Sequence, residues 1–400
     1  ENFDVGALLA LGNQKEDRVG GSITSHIWVG GTRDNPSLGV TGEIAAGTVA
    51  GYPVTDASLD VSLSNHVLTI DRLTGKQGDG SFSASGTVDF NGMMDVDATA
   101  NDIALGIFTG LAGIDEPVSG TASVTAHVGG TAQSPVADVS LSAKNGGVRG
   151  GTFDALAGEI QVRGSVVRVN QLTVHKYIGG VDYTVSVHGT LPLHALTADA
   201  DEMLSAAEQI DLTLSLDHAD LSLLPVFSRE IEWALGRTEG ELTIRGSLAA
   251  PRINGSLRIR DGAVKLKAIE TPITEIEVQV DALGDSLAIR ECTGRMGTGS
   301  YLLTGHTGLS GLRPANYEFM LVMNALSVKT SFYDGPLTGA LKLTEDTYWG
   351  ETLPKVSGTV DIDRALISIP TIPDTDSELP HIILDVGVSV GRHVHFFSPN

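Results

Sequence analysis

Cys292 is the single cysteine in 400 residues, so no intrachain disulfide can form and the fold must rest on packing. Aromatic residues make up only 5%, which leaves Val, Ile, Leu and Ala to build any apolar surface. No run of about 18 apolar residues occurs, so this stretch holds no transmembrane helix. Basic runs are missing too, and with them a polybasic membrane anchor. The formal charge of −23 makes nucleic acid a poor partner, because phosphate binding needs a basic patch. Signatures of catalysis are also lacking: there is no Gly-x-Ser-x-Gly, His-Glu-x-x-His, Walker loop or Gly-x-Gly-x-x-Gly. The expectation is a protein that is not an enzyme and needs no cofactor and no metal. The chain opens on Glu1 with neither an initiator methionine nor a signal-peptide pattern, and the last residues stop on a strand-like run, so both ends are expected to be cut from something longer.

What the sequence does have is alternation. Leu242 and Ile244 alternate with charged or polar neighbours, and so do Leu257 and Ile259, Val264 and Leu266, and Ile276, Val278 and Val280. The same period-2 pattern holds for Leu59, Val61 and Leu63, for Ile160 and Val162, and for Leu212, Leu214 and Leu216. It predicts antiparallel strands with one aliphatic face and one polar face. Thr243, Arg258, Lys265 and Glu277 should then point to water.

Turn chemistry recurs at long range. Gly246 and Pro251 predict a turn, and Asp261-Gly262 predicts a second one before Val264. Gly31, Pro36 and Gly47 repeat that spacing, as do Gly130, Pro135 and Gly146. Gly21, Gly120, Gly240 and Gly339 open the successive copies, and Ala365 replaces the last glycine of the fourth. The expected organisation is a tail of a preceding repeat (1–20), β repeats at 21–119, 120–239 and 240–338, and a partial repeat at 339–400. The second repeat carries an insertion near 193–209. Short helices are expected at Asn2–Leu11, at 104–112 and at 222–235, with Arg229 to Leu235 the best of them by its i, i+4 apolar spacing. The junction Asn324–Lys329 is too short for a confident helix. Tandem β-sandwiches and one long curled sheet both satisfy the pattern.

Other motifs read as structure. Asp60-Val-Ser-Leu-Ser64 and Asp138-Val-Ser-Leu-Ser142 are the polar faces of strands. His393 and His395 share a strand face without a second ligand pair, and Asn254-Gly-Ser256 is expected to be a turn.

The array of Gly240–Val264, Gly21–Gly47, Gly120–Val148 and Gly339–Leu366 resembles the TamB family, an AsmA-like group of bacterial envelope proteins. The resemblance implies an elongated all-β array whose curled antiparallel sheet forms a U-shaped apolar groove. It implies a periplasmic place in a diderm bacterium, an N-terminal anchor in the inner membrane, and an Omp85-type outer-membrane barrel reached through a C-terminal region. Both of those end pieces are expected to lie outside this chain. Phospholipid is the implied cargo, and assembly of outer-membrane or secreted proteins is the alternative. An extracellular adhesin or stalk of closed sandwiches remains a further alternative.

Overall fold

The structure is a computed structural model that describes residues 2–4, 19–32, 35–111, 117–131, 133–148, 151–196, 208–228, 230–247, 249–310, 313–368 and 381–397. It is almost entirely β and divides into two units, residues 1–182 with 186–200, and residues 183–185 with 201–400.

The first unit holds β1 (Asn2–Asp4), β2 (Val19–Gly31), β3 (Pro36–Val49), β4 (Tyr52–Ser64), β5 (Val67–Gln77), β6 (Gly80–Asp89), β7 (Met94–Ala104), β8 (Val118–Thr131), β9 (Ser134–Val148), β10 (Gly151–Arg163) and β11 (Val166–Ile178). Each pairs antiparallel with the next in the chain, from β1 through to β11. Strand β12 (Val181–Pro192) has residues in both units.

In the second unit lie β13 (Gln209–Asp220), β14 (Ile231–Ser247), β15 (Ala250–Leu266), β16 (Ile273–Gly284), β17 (Ser286–Met296), β18 (Gly299–Ser310), β19 (Arg313–Lys329), β20 (Tyr333–Tyr348), β21 (Glu351–Ser368) and β22 (Ile383–Phe397). They also pair in chain order. The expectation of antiparallel pairing throughout fails at one place: β22 lies parallel to β21. In each unit the pairing is that of one open sheet, which does not favour tandem sandwiches.

The recurring Gly and Pro mark hairpins. Gly31 stands opposite Pro36, Gly130 opposite Pro135, and Gly246 opposite Pro251. Proline has no N–H to give and glycine accepts a positive φ, so the pair closes a strand end at little cost. The later glycine is not a turn. Asp261-Gly262 lies inside β15, where Asp261 has φ 50° and the register slips between Ile259 and Gly262. It is a β-bulge, and Val264 and Leu266 continue the same strand. Asn254-Gly-Ser256, also expected to be a turn, lies inside β15 as well, paired with Thr243 to Glu241 of β14.

These bulges explain the second glycine. A Cβ on Gly21 would lie 2.7 Å from the Gly47 Cα, one on Gly120 2.8 Å from the Gly146 Cα, and one on Gly236 2.6 Å from the Gly262 Cα. Two backbones meet at each place with no room for a side chain. The residue facing Gly262 is therefore Gly236, not Gly240. In the fourth case Gly335 faces Ala365, and a Cβ on it would lie 2.8 Å from the Ala365 Cβ.

Helix is scarce. Helix α1 (Leu105–Leu111) falls at the expected 104–112 and rests on the β3–β4 turn, with Gly106 under Tyr52 and Gly110 under Ala50. A 3-10 turn at Leu221–Leu223 leads into α2 (Leu224–Phe227), whose Pro225 is fully buried. The expected helix at Arg229 to Leu235 does not form: β14 begins at Ile231. The reason is two bulges, between Ile231 and Trp233 and between Leu235 and Arg237. They place the apolar Ile231 and Ala234 three residues apart opposite Leu266 and Val264, an interval that imitates a helix. Residues Asn2–Asp4, also read as helix, form β1, and 5–11 lie outside the described residues. The junction Asn324–Lys329 continues β19. Of the expected insertion, Leu193–Leu196 is a 3-10 turn and 197–207 lie outside the described residues.

Candidate functional site

Strand register turns the alternation into rows. Side chains opposite one another across a sheet share a face, and the next residue on each strand takes the other face. In the first unit Leu59, Leu73, Ala84, Ala98, Ala126, Val139, Ile160 and Val169 stand opposite one another in sequence across β4 to β11. A second row runs Val61, Ile70, Gly86, Val96, Val128, Ala137, Val162 and Val167. At 4.8 Å per strand each row is about 34 Å long.

The second unit repeats the arrangement. Leu216, Gly240, Leu257, Val280, Ile289, Gly305, Phe319, Leu343 and Val356 form one row from β13 to β21. Ile259, Val278, Cys292, Leu303, Leu321 and Leu341 form the next. Leu212 stands opposite Ile244, Leu214 opposite Leu242, Ile276 opposite Gly262, and Leu266 opposite Ile231. Val264 lies between Ala234 and Ile273, and Leu63 pairs Leu38.

Burial divides these side chains. Among the seventeen aliphatic positions singled out from the sequence, only Ile276 is buried; the others are half-buried. Burial is complete where a helical turn or a loop lies over the sheet. Ile103 and Ile107 are buried at α1, Ala219 and Leu221 at the 3-10 turn before α2. Met296, Met323, Leu326 and Val360 make one cluster, with Ile269 of the β15–β16 connection packed on it. Asp220 fixes the α2 junction: its carboxylate accepts from Ser222 N at 2.7 Å and from Gly236 N at 3.0 Å.

The opposite face is polar, as expected for Arg258 and Glu277, which are exposed. Thr243 is half-buried instead. Lys265 departs further: its side chain is 17% exposed, and Nζ donates to the carbonyls of Leu266 and Ile269. The edge of the sheet bends its own loop over this lysine, so it does not reach open water.

Groups with titratable chemistry are few. Cys292 is half-buried in an aliphatic row, and burial pushes its thiol up, away from a reactive thiolate. Burial likewise raises the neighbouring Tyr301. His393 and His395 are both exposed on β22. Sequence reading missed Asp95, Asp97 and His127, whose ligand atoms lie within 4.8 Å of one another. His127 Nδ1 is 2.9 Å from Asp97 Oδ1, and that hydrogen bond holds the imidazole above its ordinary value. The Asp95-x-Asp97 alternation was visible, but its partner is 30 residues away on β8. All three are exposed, and the arrangement is that of a surface ion pair.

A sheet with aliphatic rows on one face can hold an apolar ligand. Residues 182–290 match the TamB C-terminal domain. The TamB match runs from β12 into β17 and includes Leu212, Leu242, Leu257, Ile276 and Val280. Sequence reading placed the family's C-terminal piece outside this chain, whereas the matching model is of a C-terminal domain and lies inside it. No curated protein and no solved structure matches the chain.

Proposed function

We propose that the aliphatic rows carry the acyl chains of phospholipids, and that the chain is a non-enzymatic part of a periplasmic bridge in outer-membrane biogenesis. The observation that supports this is the continuity of the rows together with the half-burial of every row residue except Val167 and Val169, which are buried. A closed core would bury these side chains; here Leu242, Ile244, Leu257, Ile259, Val278 and Val280 keep part of their surface in reach of a ligand. The TamB match supports a place in the bacterial cell envelope, with an inner-membrane anchor and an Omp85-type barrel as partners.

The energetics fit. Each acyl CH₂ drawn through water costs about 0.8 kcal/mol, so two chains of about 16 carbons meet a barrier of roughly 25 kcal/mol. A row of Val, Ile, Leu and Ala removes most of that with no bond made or broken. Few aromatic side chains interrupt the rows, which suits a smooth aliphatic lining. Bulges and row glycines such as Gly86 and Gly305 are the devices by which sheets curve, which favours a trough over a flat surface.

The test is Ile259→Asp and Val278→Asp, each assayed for melting temperature and for phospholipid that co-purifies from membranes. Folded variants that have lost lipid are expected. Unfolding of both would mean a closed core, since a buried unpaired carboxylate is costly. A wild-type protein that never carries lipid would count against transfer altogether. A second reading, assembly of client proteins by strand addition, is favoured by the outer edge of β22, which has no strand partner among the described residues.

A further inference from the structure

The tip of the β20–β21 hairpin does something folding does not ask for. Its two turn residues, Trp349 and Gly350, both have positive φ, 55° and 87°. Such a turn suits Asn-Gly, and a bulky aromatic in the left-handed region is strained. Other tight turns here use small or polar residues at that place, Ala50 before Gly51 and Asn65 before His66. Packing does not offset the strain, because Trp349 is 91% exposed. A strained side chain held out in water is a reason to look for a ligand.

The surroundings say which ligand. Tyr348 stands opposite Glu351 across the hairpin, and the Tyr348 and Trp349 rings are 6.0 Å apart and tilted by 40°. With Leu353, Ile382 and Ile383 they border an open cleft of about 600 Å³. Register places this cleft on the polar face. Val356, Gly358 and Val360 belong to the aliphatic face, so Glu351 and Leu353 point the other way, as does Ile383 opposite Lys355. Tyr348, Leu353 and Ile383 thus interrupt a face that elsewhere carries pairs such as Lys355 and Asp346.

We propose that this cleft binds a single amphiphile with an ammonium head, separately from the aliphatic rows. The negative faces of two aromatic rings and the Glu351 carboxylate both favour a cation, and a methylated ammonium sheds water most cheaply. Glu351 has no Lys or Arg bonded to it among the described residues; the imidazole of His381 lies 4.0 Å from its carboxylate. Leu353, Ile382 and Ile383 give the first methylenes of a tail an apolar wall. An anionic head would meet the carboxylate and be repelled.

The experiment is calorimetric titration of the full chain with dodecylphosphocholine and with dodecyl maltoside, which share a tail and differ in head, both below their micelle concentrations. Saturable binding of the phosphocholine is expected, with the maltoside about tenfold weaker or more, as loss of a desolvated cation–π contact implies. Trp349→Gly and Glu351→Gln should each weaken the phosphocholine by a similar factor. Trp349→Gly relieves the turn, so its melting temperature should hold or rise, and loss of binding cannot be blamed on unfolding. Equal binding of the two amphiphiles would reduce the cleft to an apolar patch and overturn the proposal, as would binding unchanged in both variants. Phospholipid held by the aliphatic rows should still co-purify with Trp349→Gly and be lost from Ile259→Asp. The two readings therefore fail separately.

Discussion

The two units carry the same aliphatic face and different polar faces. In the first unit a row of hydroxyls crosses six strands, Ser58, Thr74, Ser83, Thr99, Thr125 and Ser140, with Ser58 bonded to Thr74 at 2.8 Å and Ser83 to Thr99 at 2.7 Å. Ion pairs occur there too, as between Arg163 and Asp138 at 2.7 Å, but among the described residues they are more numerous on the polar face of the second unit. Arg245 meets Asp211 at 3.0 Å, Lys342 meets Glu318 at 2.9 Å, and Arg290 is bonded to Asp281. Exposed cross-strand pairs of either kind contribute about 0–1 kcal/mol, so one can stand in for the other. What both units keep is the aliphatic row with a glycine set in it, Gly86 in one and Gly305 in the other. The fold tolerates exchange on the face that meets water and little on the face that meets the proposed cargo.

Replacing those two glycines should give the largest effect. Gly86 has φ 141° and Gly305 φ 155°, and a Cβ on either would press into the carbonyl of the facing strand, Asp95 or Glu318. Gly86→Val and Gly305→Val should each cost about 3 kcal/mol or more, read as a fall in melting temperature. Gly179 has φ 59° but nothing within 4 Å of an added Cβ, so Gly179→Ala should cost only about 1–2 kcal/mol. Equal losses at all three would mean that strain alone, and not the close approach of the strands, sets the cost.

A smaller effect separates the two helical junctions. Asp220 is 8% exposed and caps the turn before α2, whereas Asp102, three residues before α1, is exposed and spends no carboxylate on that helix. Asp220→Ala should cost about 2 kcal/mol, because it strips a cap and leaves Gly236 N without its partner. Asp102→Ala should cost less than about 1 kcal/mol, the usual range for an exposed site. Denaturant midpoints of the two variants would show the order, and a reversal would break it.

The same contrast marks what could be read from the chain. Leu212, Leu214 and Leu216, or Ile276, Val278 and Val280, are legible because a strand with one dry face must alternate, and each Gly–Pro spacing is legible because a hairpin needs it. Arg229 to Leu235 misleads because bulges shift its period. Asp261-Gly262 misleads because a bulge and a turn call for the same residues. The parallel β22 and the contact of His127 with Asp97 leave no local signal, since both join stretches that lie far apart in sequence. The cleft at Trp349 was hidden for another reason: a turn that pairs Trp with Gly carries no periodic mark, and only its backbone angle shows that the side chain is held at a cost.

The smallest expected effect is in pH, and its sign differs between the units. In the first, His127 is held above its ordinary value by the Asp97 hydrogen bond, with Asp95 and Asp138 adding to it. A raised imidazole lends stability that is whole below its unfolded value of about 6.5 and is lost as pH rises through the folded one. In the second, Asp281 is lowered by its bond to Arg290, Glu318 by Lys342 and Asp346 by Lys355. Lowered carboxylates lend stability that is whole above their unfolded values of about 4 and is lost as pH falls through the folded ones. Alkaline drift should therefore loosen the first unit slightly and acid the second. His127, Glu318 and Asp346 are exposed and Asp281 is half-buried, so the direct measurement is titration by nuclear magnetic resonance and not a melting curve. Asp97→Asn should bring His127 back towards its ordinary value, and Lys342→Met should do the same for Glu318. A His127 titration left unchanged by Asp97→Asn would mean that the hydrogen bond does not form in solution, and the polar face of the first unit would then rest on its hydroxyl row and on pairs such as Arg163 with Asp138.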